Sequence, residues 1–302
     1  MTVGTTKVLR DAREALDDAG LRGSFLVRDL DTGDELGLDA DVEYPIASLV
    51  KVPLAVATLH RVDRGELDGA TPVVVPPDRV AAPGPIGLPE FRHPATIALD
   101  DLLYLSVAIS DSTAADALFA LTPPAAVTAE LRRLGYHGIA VRHLMRDLVH
   151  TPAERFTPAE GHLAHSPAIA AATEGRGHPV TQLDISRANA GSARAFVDLL
   201  QGVWRPTTIG PAVAERVREL MGDNALRHRL APDFGSDASR WSSKTGTLLN
   251  LRHEVGVVEH ADGQTFAVAA LTASRVPAFS QPGAEALMAR VARTLRDHLR
   301  AA

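Results

Sequence analysis

The chain has 302 residues, no cysteine, 31 Lys+Arg against 37 Asp+Glu, and a formal charge of -6. A net acidic chain lacks the basic face of a nucleic-acid binder, so no nucleic-acid partner is expected. Without cysteine there are no disulfides, thiolate nucleophiles or cysteine-ligated zinc.

Residues 1–25 carry Lys7, Arg10, Asp11, Arg13, Glu14, Asp17 and Asp18. These charges leave no room for a secretory h-region, and no stretch reaches the ~18 apolar residues of a membrane span. The chain as written is expected to be cytoplasmic, monomeric and off the membrane; a removed leader would make it secreted. Only three of the basic residues are lysines, Lys7, Lys51 and Lys244. In a chain so biased toward arginine, each retained lysine is informative.

In chain order, Val8, Ala12, Ala15 and Leu16 fall at helical spacing and predict a helix over 5–19, stopped by Gly20. Residues 23–31 and 34–39 read as a hairpin turned by Asp31-Thr32-Gly33-Asp34. After Pro45 a helix is expected over 48–64. The middle is helical over 99–109, 113–121, 124–134, 188–201 and 211–221, with Ser112 as an N-cap and Pro211 as a first helical residue. Residues 70–96 and 150–186 read as long loops, which in a compact domain are usually functional. Strands are expected over 239–246, 253–260 and 264–273, the last two joined by Ala261-Asp262-Gly263. A final helix over 283–300 presents Leu287, Met288, Val291, Leu295 and Leu299 on one face. The order predicts an α+β fold: an antiparallel sheet from both chain ends, flanked by helices, with an all-helical lobe inserted. One catalytic domain over 1–302 is expected, with an α/β lobe from 1–45 and 203–302 and a helical lobe from 46–202.

Three short motifs carry chemistry. Ser48-Leu49-Val50-Lys51 opens a helix, so the ammonium lies one turn from the hydroxyl. A serine needs a base, and a lysine serves only when desolvation or nearby cations depress its pKa. Ile46, Ala47, Val50, Val52 and Leu54 offer that dry surround. Ser110-Asp111-Ser112 falls in a loop between helices, where a second hydroxyl could relay a proton. Lys244-Thr245-Gly246-Thr247 ends a strand, where a lysine and hydroxyls can hold a carboxylate and Gly246 lets a ligand approach the backbone. Singly, these motifs have ordinary explanations: a capped helix with a surface lysine, a helix–helix connection, a strand exit. Together they form the ordered set S-x-x-K, S-D-x, K-T-G.

In this set the chain resembles the class A β-lactamases and penicillin-binding serine hydrolases over nearly its whole length. The run from Met221-Gly222-Asp223-Asn224 through Arg229-Leu230-Ala231-Pro232 is similar to that family's approach to its K-T-G strand. The resemblance implies a β-lactamase/transpeptidase-like fold and a small-molecule substrate, with no cofactor. It implies that Ser48 is acylated, that Lys51 is the acylation base or part of the relay, and that Ser110 protonates the leaving nitrogen. Lys244 would steer the substrate carboxylate, Ser112, Thr245 and Thr247 would hydrogen-bond substrate, and the N–H groups of Ser48 and Thr247 would form the oxyanion hole. The leading expectation is hydrolysis of a β-lactam or related amide through an acyl-serine. Alternatives on the same scaffold are a D-alanyl-D-alanine carboxypeptidase, an esterase, or a slowly deacylating module that senses its ligand.

The sequence departs from the family pattern in three ways. Ser112 stands where most class A enzymes have asparagine. No glutamate stands out as the deacylating base, leaving Asp147, Glu154 and Glu160 as candidates. No export signal is visible. Other chemistries lack motifs: there is no G-x-S-x-G elbow, no P-loop, no G-x-G-x-x-G and no H-E-x-x-H. His162 and His165 form an H-x-x-H near His137 and His143, and His253-Glu254 has no second histidine in register. These read as ordinary histidines, and no metal is assigned.

Overall fold

The computed structural model describes residues 3–77, 86–148, 151, 157, 160, 163–170, 176–278 and 280–301. The elements in chain order are α1 (Val3–Asp18), β1 (Leu21–Asp29), β2 (Glu35–Leu38), β3 (Glu43–Pro45) and α2 (Lys51–Asp63). They continue with β4 (Pro72–Val75), β5 (Ala95–Ala98), α3 (Leu99–Ala108), α4 (Ser112–Leu121), α5 (Pro124–Arg133), β6 (Ile139–Ala140) and α6 (His165–Ala170). The chain closes with β7 (Ala190–Ser192), α7 (Ala193–Trp204), α8 (Pro211–Gly222), α9 (Ala231–Phe234), β8 (Ser239–Leu248), β9 (Leu251–His260), β10 (Thr265–Ser274) and α10 (Pro282–Arg300).

The main sheet is five-stranded and antiparallel in the order β2-β1-β10-β9-β8. Strand β1 from the chain start pairs with β10 from its end, with Phe25 opposite Ala270. This is the expected sheet built from both termini. Strand β10 is buried along almost its whole length, because both faces of the sheet are covered. On one face α1, α9 and α10 enclose a core of Leu16, Phe25, Phe234, Trp241, Phe266, Met288 and Leu295. Phe234 and Trp241 stack there with ring centroids 4.9 Å apart, within the favourable range for aromatic pairs. On the other face, a larger core joins Leu26, Val255 and Leu271 of the sheet to α2, α3, α4, α7 and α8.

Helix α2 is apolar all round and buried from Lys51 to His60, as expected of a helix at the centre of a bundle rather than on its surface. Helix α1 ends where Gly20 takes φ +67, a left-handed stop that suits glycine.

Several boundaries differ from expectation, for tertiary reasons. The 70–96 segment contains β4 and β5, which pair with each other. The 150–186 segment contains α6 and a short 3-10 turn at Thr181–Leu183. Residues 190–192 form β7 between β3 and β6, so the helix expected from 188 starts at Ala193. Strands this short gain their register from partners distant in sequence, and local pattern does not announce them.

Candidate active site

The chain enters the site through Pro45 and Ile46. Ile46 N–H donates to Asn189 O at 2.9 Å. His253 Nε2 lies 2.9 Å from Pro45 O, while its Nδ1 accepts from Thr272 N–H at 3.1 Å. These bonds fix the neutral tautomer with the proton on Nε2. Burial pushes the His253 pKa down to about 3. Ala47 then takes φ +47, a left-handed conformation that strains a residue with a Cβ. That sharp turn opens a 3-10 segment, Ala47–Val50, and the α-helix proper begins at Lys51. Ser48 therefore sits on a tight turn before the helix, half-buried between sheet and bundle, rather than inside the helix expected from 48.

Lys51 is fully buried, and its Nζ lies 3.3 Å from Ser48 Oγ, 2.6 Å from Ser110 O, 3.3 Å from Ser110 Oγ and 3.2 Å from Ser112 Oγ. Burial pushes its pKa from 10.5 down to about 7, against the pull of the Asp111 and Asp116 carboxylates. A substantial fraction of neutral amine, able to take a proton from Ser48, is thus present near neutral pH.

Ser110 also takes a left-handed backbone, φ +62. This conformation turns its carbonyl and its hydroxyl toward the lysines. Asp111 follows as the N-cap of α4, its Oδ1 accepting from Ala114 N–H at 2.9 Å and its Oδ2 from Leu88 N–H at 2.6 Å. The cap is therefore Asp111 rather than Ser112, which is the first residue of the helix. Burial raises the Asp111 pKa, partly offset by those N–H donors. The carboxylate ties the 86–90 segment to the S-D-S turn and leaves Ser112 Oγ free to meet Lys51.

Strand β8 supplies the third motif. Lys244 is fully buried, and its Nζ donates to Ser110 Oγ at 2.8 Å and to Thr245 O at 3.0 Å. Burial pulls its pKa well below 10.5, and the nearby Lys51 and Arg229 charges pull in the same direction. Gly246 is required for close approach: a Cβ there would stand 2.8 Å from Ile46 O and 3.1 Å from Leu49 Cγ. The glycine thus lets β8 lie against the backbone that precedes Ser48. Thr247 is exposed at the strand end. The structure therefore brings together Ser48, Lys51, Ser110, Ser112 and Lys244, with Thr245, Gly246 and Thr247 on the adjoining strand.

Two of the candidate carboxylates, Asp147 and Glu160, are hydrogen-bonded within their own turns. Asp147 is exposed, and its Oδ2 accepts from Leu144 N–H at 2.9 Å within its own turn. Glu160 accepts from Thr157 N–H at 3.2 Å and Thr157 Oγ1 at 2.8 Å. Glu154 lies outside the described residues. Among the described residues, no carboxylate is hydrogen-bonded to Ser48 or Lys51, and no group of three His, Asp or Glu could hold a metal. Of the histidines weighed as ligands, His143 is engaged with Asn189 N–H at 3.0 Å, and His162 lies outside the described residues.

Sequence reasoning missed two supports. Arg229, only 3% exposed, donates to Gly246 O (3.0 Å), His253 O (2.9 Å) and Thr247 Oγ1 (2.6 Å), and pairs with Glu285 at 2.9 Å. It clamps the end of β8 to β9. Asp116 accepts from Met145 N–H at 2.7 Å and Arg146 N–H at 2.9 Å, pinning the turn that precedes Asp147 to α4. Its position one turn beyond Ser112 on the same helix was the available signal.

This arrangement defines a class: a serine on a strained turn, a depressed lysine, and a second serine held between two buried lysines at the edge of an antiparallel sheet. The chain belongs to the β-lactamase enzyme family, whose profile (Beta-lactamase2) matches residues 7–299. It is 62% identical, over 99% of both chains, to the β-lactamase regulatory protein BlaB of Streptomyces cacaoi. Among solved structures it superposes on a β-lactamase from Chitinophaga pinensis DSM 2588 with a TM-score of 0.78 at 20% identity, covering 97% of this chain and 99% of that one. It superposes on the acyl-enzyme complex of a PBP-A mutant with penicillin G with a TM-score of 0.77 at 18% identity, covering 98% and 97%. These likenesses establish the β-lactamase/transpeptidase-like fold. No helix among the described residues is long and apolar enough to cross a membrane.

Proposed function

We propose that this protein captures a β-lactam or a related acyl amide as an ester on Ser48 and releases it slowly, so that it acts as a ligand sensor rather than as an efficient hydrolase. The observation that carries this reading is the contact of Lys51 Nζ with Ser48 Oγ, Ser110 Oγ and Ser112 Oγ, with no carboxylate joined to them among the described residues. Neutral Lys51 takes the Ser48 proton as Oγ attacks the carbonyl carbon. The proton then passes through Ser110 Oγ to the departing nitrogen as the C–N bond breaks. Lys244, beside Ser110, holds the ligand carboxylate, while Thr245 and Thr247 offer hydroxyls. The N–H groups of Ser48 and Thr247 stabilise the oxyanion.

Hydrolysis of the ester needs a second event: a water positioned and deprotonated in the same pocket. Asp147 and Glu160 are hydrogen-bonded within their own turns, so among the described residues that step has no placed base. The name of the Streptomyces relative, a regulatory protein, supports a sensing role. Efficient β-lactam hydrolysis is the second reading, favoured by the family at large.

Intact mass spectrometry after mixing with excess benzylpenicillin, followed in parallel with nitrocefin turnover, separates the two. The expected result is a persistent adduct on the parent protein and none on Ser48→Ala, with turnover far slower than capture. Absence of any adduct together with absence of turnover would overturn covalent capture. Rapid multiple turnover would instead establish the hydrolase.

A further inference from the structure

A cleft of about 440 Å3 opens at the outer edge of β8, between the end of α8, the short α9 and the first residues of the strand. Its walls carry Arg227, Arg240, Ser236 and Trp241, together with Gly222 and Gly235. Each guanidinium leans on a glycine. A Cβ on Gly222 would stand 2.9 Å from Arg240 Nη2, and a Cβ on Gly235 would stand 3.3 Å from Arg227 Nη2. Neither glycine has positive φ, but a Cβ on Gly235 would also stand 3.1 Å from Ala231 O, so close backbone approach already accounts for glycine there. Gly222 is the last residue of α8. Both arginines are exposed at the cleft wall, and the missing side chain of Gly222 leaves room there for the Arg240 guanidinium.

Among the described residues, neither arginine has a carboxylate partner. The described hydrogen bond of Arg227 goes to Trp241 O at 3.3 Å. Asp233, close in sequence, has its Oδ1 4.0 Å from Arg293 instead. Ser236 Oγ accepts from Ala238 N–H at 3.3 Å, which leaves its own proton available to a ligand. Glu259 stands opposite Arg240 on β9 without forming an ion pair with it among the described residues, and two planar cations and a hydroxyl in one cleft match a dianion with several acceptor oxygens.

We propose that this cleft binds the phosphoryl group of a small phosphorylated ligand. Arg240 precedes Lys244 by four residues on β8 and shares its face of the strand, so the site stands about 13 Å along the strand from that lysine. It is therefore separate from the place where Ser48 reacts.

The probes are inorganic pyrophosphate and orthophosphate, titrated at constant ionic strength with sodium chloride as the reference, with the melting temperature as readout. A saturable stabilisation beyond that of chloride is expected. A preference for pyrophosphate would indicate a diphosphate ligand, and equal response a monophosphate. Arg227→Met and Arg240→Met should each weaken binding by about tenfold or more, the loss of a charge-assisted hydrogen bond. Gly222→Ala keeps both arginines but crowds the Arg240 guanidinium, and should weaken binding by less than either arginine substitution. Circular dichroism of the variants checks the fold, and their melting curves are readable whether or not Ser48 captures penicillin. No stabilisation beyond chloride, or equal affinity in the two arginine variants and the parent, would overturn the proposal.

Discussion

Lys51 and Lys244 meet at one hydroxyl: Ser110 Oγ lies 3.3 Å from the first Nζ and 2.8 Å from the second. Two buried ammonium groups so placed repel one another, and the Lys51 charge is among the causes that depress Lys244. The site therefore favours at least one neutral amine, and an incoming carboxylate relieves the remaining repulsion. Binding of an anionic ligand and readiness of the base are coupled through these charges.

The first consequence is a pH profile. With its pKa pushed down to about 7, Lys51 is mostly protonated in mild acid and mostly neutral in mild base. The second-order acylation rate constant at subsaturating benzylpenicillin, which reports the free protein, should rise with pH through a midpoint near 7 and then level off. Rapid-quench measurement of adduct formation checks this. A flat rate between about pH 6 and pH 8 would remove Lys51 as the base.

Removing Lys244 should separate ligand classes. Lys244→Ala loses both the positive charge and the contact with Ser110 Oγ, so capture of every acyl donor should slow. Carboxylated β-lactams should lose on the order of tenfold more than neutral esters, since only they lose an ion pair as well. An equal loss for both classes would show that the lysine serves the proton relay alone.

The carboxylates outside the cluster should be bystanders. Asp147→Asn and Glu160→Gln are expected to change the lifetime of the penicillin adduct by less than about twofold, because each carboxylate is engaged in its own turn and no base is removed from the ester. A lifetime lengthened tenfold in either variant would identify a water-activating group that moves into place after acylation.

Acid stability should depend on His253. Its folded pKa of about 3 lies below the ordinary value of 6.5, so between these limits the unfolded chain binds a proton that the folded chain excludes. The contribution is intact above pH 6.5 and is lost as the pH falls, by on the order of 2 kcal/mol at pH 5. Urea unfolding at pH 7 and pH 5 should show a smaller acid loss in His253→Gln than in the parent. The same loss in both would assign acid sensitivity to other groups.

Much of this was legible before the structure. The sheet from both chain ends followed from strand-like runs beside each terminus, and the helices with clear caps or apolar faces fell within a few residues of expectation. The candidate site residues could be singled out because the chemistry of a serine and a lysine one turn apart depends on local spacing. What stayed hidden was tertiary. Ala47 and Ser110 take left-handed backbones that nothing in their side chains signals, and these conformations aim the two hydroxyls. Asp111 displaced Ser112 as the cap because its second oxygen also reaches Leu88 N–H. Arg229 looked like one arginine among many until β8 and β9 closed around it. The short strands β3, β6 and β7 exist only because they find each other.

The closure of β10 onto β1 sets a time at which the protein becomes competent. Ser48, Lys51 and Ser110 all leave the ribosome long before Lys244 and the strands that hold it. A nascent chain thus carries an incomplete site with no second ammonium and no strand against its strained turn. Pairing between residues so far apart in sequence is slow, because loop-closure entropy must be overcome before the contacts form. Reactivity at Ser48 should therefore appear only after β10 has been synthesised, and a chain truncated before β10 should be silent toward every acyl donor. A site built this way forms only once its last strand is in place.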